Sequence, residues 1–168
     1  MSYEFFVLVL QWPVTACRPP SNYLQEIDVA KIKPRLMNVW PTLNNGESDF
    51  DFWSREWNRH GKCGLDYFKT PFRYFKKALV LTTVMDITQK LADKNIYPDD
   101  TRMYTAQEIF KAIANSGYSK PQIECNSLTN PPELREIRFC FTPLMSSVMC
   151  PQFSLEIDCG ASFKWPSQ

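Results

Sequence analysis

The sequence predicts an α+β domain in which a mostly antiparallel sheet packs against several helices. Three observations predict it. An apolar, partly β-branched run opens the chain, amphipathic segments of helical spacing fill its middle, and the last third changes to two-residue alternation. Strands at both ends of a helical middle favour antiparallel pairing over repeated βαβ units. At 168 residues, one domain spanning 1–168 is the expectation.

The elements follow in order. Residues 4–11, EFFVLVLQ, read as a buried strand stopped by Trp12-Pro13. RPPSNY at 18–23 is a Pro-rich loop. Residues 26–40 place apolar side chains at 29, 32, 36, 39 and 40, which is helical spacing; Pro34 predicts a kink or restart near 33–34, and Pro41 ends the segment. NNGESD at 44–49 is a turn, after which Asp49 or Asp51 caps a helix over 52–62. Pro71 sits in the first turn of an amphipathic helix over 71–84, and Asp86 begins a short helix to Lys94. Thr105 and Glu108 form a capping box for a helix to Asn115, closed by Gly117. Residues 121–125, 134–142 and 159–165 alternate as strands, and a further strand is expected near 153–157.

Composition narrows the function. Hydrophobic residues are 44% and charged residues 22%, an ordinary globular balance. The net charge of +1 excludes a protein that holds a polyanion by bulk charge, so any nucleic-acid contact must come from a local patch. No apolar run reaches membrane-spanning length, and no membrane partner is expected. His60 is the single histidine, which excludes a mechanism needing two histidines from this sequence. The six cysteines form no C-x-x-C pair, so neither a zinc ribbon nor a thioredoxin motif is expected. Four of them fall between 125 and 159, which reads as two structural disulfides and an oxidising compartment; reduced thiols in the cytosol are the alternative. The opening Met-Ser-Tyr-Glu-Phe has no basic region or small-residue cleavage site, as in a mature secreted domain.

One segment carries chemistry: Phe52-Trp-Ser-Arg-Glu-Trp-Asn-Arg-His-Gly-Lys-Cys63. On a helix, Glu56 and His60 share a face at i,i+4, and Arg55 and Arg59 do so one step round. Two guanidinium groups, a carboxylate and an imidazole form one arc. Arginines grip phosphate through paired hydrogen bonds, and an imidazole exchanges protons near neutral pH, so a phosphoester is the natural substrate. The alternative is a solvated, salt-bridged face. Trp53 and Trp57 read as core, as does the aromatic run Tyr67, Phe68, Phe72, Tyr74 and Phe75; Arg73, Lys76 and Lys77 read as a solvated face.

This segment closely resembles the second active-site segment of the ribonuclease T-two family, F-W-x-H-E-W-x-K-H-G-T-C, as found in plant S-like and self-incompatibility ribonucleases. FFVLVLQWPVTAC resembles the family's first strand, DVAKIKPRLMNVWPTL the helix before the active-site segment, and TAQEIFKAIANSGYSKPQIEC with ELREIRFC its late helix and strands. The resemblance implies a single-chain fold without cofactor or metal. It also implies disulfides Cys125–Cys159 and Cys140–Cys150, a secreted or vacuolar location, and RNA or a nucleotide as any ligand of a monomeric protein. Family activity is RNA cleavage in which the 2′-hydroxyl attacks phosphorus to give a 2′,3′-cyclic phosphate. Carried over, His60 is the base, Glu56 and Arg59 the pair that stabilises the pentacoordinate phosphorus, and Arg55 a phosphate ligand standing where the family has a second histidine. Gln11 falls near the family's base pocket.

The chain also departs from the family. The first active-site motif, roughly F-T-I-H-G-L-W-P, supplies the general acid and a central strand. Only RPPSNYLQ occupies its interval, so that strand is expected to be missing or replaced. Asn38-Val-Trp-Pro41 is not its remnant, because it continues the later helix. The family partners of Cys17 and Cys63 lie in the same interval, which leaves the two orphaned or paired together. Arginine at 55 can hold phosphate but cannot exchange a proton near neutral pH, and the phenol of Tyr23 is a poor substitute acid. The expectation is a ribonuclease-like protein with little or no activity, such as a vegetative storage protein. The alternatives are an active endoribonuclease and a non-catalytic phosphate, nucleotide or RNA binding module.

Overall fold

The computed structural model describes residues 6–10 (backbone), 23–114, 117–126, 128–142, 144, 146–150 and 159–167; the side chains of Lys62 and Cys63 are outside the description. Gln11, Cys17 and the strand expected near 153–157 also lie outside it. The chain divides into two compact units, residues 12–84 and residues 1–11 with 85–168.

Among the described residues, the first unit is helical. Helix α1 (Glu26–Val29) and helix α2 (Lys33–Val39) are separated where a break near Pro34 was expected. Pro34 lies in the first turn of α2, where its missing N–H leaves no bond unmade. Helix α3 (Asp49–Arg59) starts and ends earlier than the expected 52–62. Its cap is Ser48, neither Asp49 nor Asp51: the Ser48 hydroxyl accepts from the Asp51 N–H at 3.1 Å. His60 closes α3, and a 3-10 turn over Gly61–Gly64 follows. Helices α4 (Leu65–Phe68) and α5 (Pro71–Met85) follow, and Met85 itself belongs to the other unit.

Aromatic contacts organise this unit. Trp53 and Trp57 are fully buried on one face of α3. The Trp53 indole N–H donates to the Trp40 carbonyl at 2.7 Å. Trp57 meets Tyr74 edge-on at 5.6 Å, and Tyr74 meets Phe68 at 5.4 Å and Phe75 at 5.0 Å. Tyr67, expected in the core, is 48% exposed; α4 is a single turn, which buries Phe68 and turns its neighbour outward.

The second unit is α+β. Helix α6 (Ile87–Ala92) precedes strand β2 (Asp99–Tyr104), and helix α7 (Ala106–Ile113) opens with the Thr105–Glu108 capping box. The sheet is built on β4 (Glu133–Phe141). Strand β1 (Phe6–Leu10) runs parallel to it along residues 137–141. Strand β3 (Gln122–Asn126) and the short β5 (Ser147–Val148) run antiparallel to it. Strand β6 (Phe163–Trp165) pairs parallel at Glu133 and antiparallel to β2. Among the described residues, three of the five pairings are antiparallel.

A bulge sets the faces of β4. The register shifts between Glu124 and Cys125, so Glu136 and Leu134 oppose adjacent residues of β3. One extra residue reverses the side-chain alternation, so Leu134 is buried before the shift and Ile137, Phe139 and Phe141 after it. Arg138, Glu124 and Glu136 form an ion cluster, with Arg138–Glu124 at 2.9 Å and Arg138–Glu136 at 2.7 Å. Cys125 bonds Cys159 and Cys140 bonds Cys150, tying β3 and β4 to later chain.

Candidate functional site

The site is built on α3 and the turn before it. Ser48 fixes the first residue of the helix, and the buried faces of Trp53 and Trp57 fix its rotation. Residues 55 and 56 are then left only partly covered. Glu56 reaches His60 across one helical turn, with carboxylate oxygen and imidazole Nε2 3.8 Å apart. That is an ion-pair distance and too long for a hydrogen bond. His60 is 65% exposed and Glu56 19%. The imidazole is therefore the accessible member of the pair. The Glu56 charge is felt inside as well: burial first, and Glu56 second, push the Tyr74 phenol well above its usual range.

Arg55 lies beside Glu56 but points its fork elsewhere. Its Nε and Nη2 donate to the two oxygens of Glu47 at 3.1 and 3.0 Å, and its Nη1 donates to Glu56 at 3.4 Å. Its cation sits over the Phe52 ring at 5.2 Å. Glu47 is itself held from the other side. Its Oε2 accepts from the Thr42 hydroxyl at 2.9 Å and from the Asn44 amide at 3.0 Å. Gly46, at φ 88, makes the turn that brings Glu47 back toward α3, and Asp49 accepts from the Thr42 N–H at 2.8 Å. Hydrogen bonds from Arg55, Asn44 and Thr42 lower the Glu47 carboxyl to about 2, and the same bond from Glu47 holds the Arg55 guanidinium above its ordinary value.

Arg55, Glu56 and His60 are thus brought together, while Arg59 occupies the exposed last turn of α3. Tyr23 is 73% exposed in coil before α1. From sequence, residues 44–49 read only as a turn, and no motif marks Glu47 as a partner of Arg55, or Thr42 and Asn44 as partners of Glu47. The signal available was an acidic residue directly before a helix cap, eight positions ahead of an arginine. Among the described residues, no group of three or more His, Cys, Asp or Glu could hold a metal, and no helix is long and apolar enough to cross a membrane.

Residues 19–159 match the Ribonuclease T2 family. Ribonuclease DdI of Dictyostelium discoideum is 30% identical over 173 residues, covering 98% of this chain and 74% of that protein. The chain belongs to the Ribonuclease T2 family. Extracellular ribonuclease LE of Solanum lycopersicum is 33% identical over 155 residues, covering 90% of this chain and 66% of the relative. RNase NT, solved in complex with 5′-AMP, superposes with a TM-score of 0.77 at 27% identity, covering 89% of this chain and 73% of that one. The protein is ribonuclease-like in sequence and fold.

Proposed function

We propose that this chain is a Ribonuclease T2-family protein with little or no ribonuclease activity and a non-catalytic role, such as storage of amino-acid nitrogen. The observation that carries this reading is that its only histidine is His60. By the resemblance, family chemistry takes a base and an acid. His60 stands in the place of the base, with Glu56 and Arg59 as the remnant stabilising pair. The interval that would supply the acid carries RPPSNYLQ, which contains no histidine, aspartate or glutamate. Losing a general acid alone costs about 10² to 10⁴ in rate. The second histidine of the segment is replaced by Arg55, whose fork faces Glu47, and losses within one catalytic unit compound.

The two disulfides and a relative named as extracellular support a secreted or vacuolar protein. RNase NT with 5′-AMP supports RNA or a nucleotide as the class of any residual ligand. The test is cleavage of RNA by the purified chain against His60→Ala. Equal, background-level rates are expected. Turnover by the wild type that His60→Ala abolishes would overturn the proposal.

A further inference from the structure

We propose that the Glu47 carboxylate is a built-in occupant of the Arg55 anion site, filling the place a phosphate group would otherwise take. The proposal rests on the reading of Arg55 as a phosphate ligand and explains why that ligand is silent in this chain.

A guanidinium offers five N–H groups, and its Nε–Nη2 edge matches two oxygens of a carboxylate or a phosphate equally well. Here Glu47 spans that edge with both oxygens, at 3.1 and 3.0 Å. Glu56 takes a third N–H from Nη1, so three of the five point at carboxylate oxygens. Glu47 is held in place by more than Arg55. Thr42 and Asn44 donate to the same oxygen that Nη2 reaches, which fixes the carboxylate before any ligand arrives. The carboxyl, lowered to about 2, stays ionised through the physiological range. An incoming phosphate meets one guanidinium already faced by two carboxylates. It must displace Glu47 from four donor groups on three residues or add a third negative group beside them. Partial burial and geometry separate this arrangement from an ordinary surface ion pair. The Arg55 and Glu47 side chains are 33% and 21% exposed, and the contact is bidentate and buttressed.

The chemical class that fits the opened site is a phosphate monoester or inorganic phosphate, which the Arg55 edge grips as it now grips Glu47. Glu47→Gln keeps the side-chain length and one acceptor for Arg55, and it removes the competing charge. Inorganic phosphate is titrated into the wild type, Glu47→Gln and Glu47→Gln/Arg55→Met. Binding is followed by the NMR shift of the Arg55 Nε–H, present in the first two proteins, and by calorimetry in all three. The expected result is at least about tenfold tighter binding in Glu47→Gln than in the wild type, with the gain lost in the double variant. Equal phosphate affinity in the wild type and Glu47→Gln would overturn the proposal, as would a folded Glu47→Gln that binds none. Thr42→Val/Asn44→Ala, which unfastens Glu47 while keeping both charges, is titrated alongside. If Glu47→Gln does not fold, this variant decides: tighter binding than wild type supports the proposal, and no gain overturns it. RNA cleavage by the wild type would refute the non-catalytic reading without moving the phosphate titration, so the two failures are distinguishable.

Discussion

Gly61 follows His60 directly, and its place in the segment has a steric cause. A Cβ at position 61 would lie 2.2 Å from Cε3, 2.8 Å from Cζ3 and 3.1 Å from Cδ2 of the Trp57 ring. Trp57 is fully buried, and its ring meets Tyr74, which in turn packs on Phe68 and Phe75. The indole must therefore move by about an ångström to restore ordinary contact, against the rings packed on it. Overpacking of this kind costs about 1 to 3 kcal/mol. For a chain of this size each kcal/mol lowers Tm by about 2 to 4 °C, so Gly61→Ala is expected to melt about 2 to 12 °C below wild type. The assay is reversible thermal or urea unfolding, with Gly46→Ala as a control that meets nothing within 4 Å and tests only the positive φ. A Gly61→Ala protein within about 0.5 kcal/mol of wild type, the range of a neutral surface change, would refute the packing argument.

Further expectations concern the disulfides, Glu47 and Trp53. In the chain-entropy description, loops of 34 and 10 residues make Cys125–Cys159 worth about 3.8 kcal/mol and Cys140–Cys150 about 2.7 kcal/mol. Urea midpoints of Cys125→Ala/Cys159→Ala and Cys140→Ala/Cys150→Ala should fall in that order. The Glu47 carboxyl stands at about 2 in the folded protein against an ordinary 4.5. Its ionised form therefore adds stability that is fully present above about pH 4.5 and is lost as pH falls toward 2. Tm against pH should drop more steeply across that window for wild type than for Glu47→Gln, and the two curves should close on each other at the acid end. Trp53→Phe removes the donor to the Trp40 carbonyl and should cost about 1 to 3 kcal/mol in chemical denaturation.

What could be read from the sequence follows the strength of each local signal. The Thr105–Glu108 box, the Pro34 break and the alternation of β4 are written in residue types that admit few alternatives. Strand β2 carries no clear strand signal, because DDTRMY is largely exposed and, among the described residues, pairs with β6 alone. Its Asp99 side chain accepts from the N–H groups of Thr101 and Arg102 at 2.7 and 2.9 Å, a turn-like pattern that masks a strand. The expected strand over 159–165 shrinks to β6 because Gly160, at φ 61, turns the chain after the Cys125–Cys159 bond. The helical spacing of Arg55, Glu56 and His60 was legible from their order alone. The destination of the Arg55 fork was not. It depends on a turn that returns Glu47 to α3, and that is tertiary information carried by Gly46, Thr42 and Asn44.

The proposed function holds that one histidine without a partner acid leaves this family member with little or no turnover of RNA. Its most direct test is a DNA oligonucleotide with a single ribonucleotide, incubated with wild type and with His60→Ala and analysed for product ends. Both proteins should show the same background rate and no 2′,3′-cyclic phosphate above it. Accumulation of that cyclic end with wild type alone would contradict the account and would require an acid elsewhere in the chain.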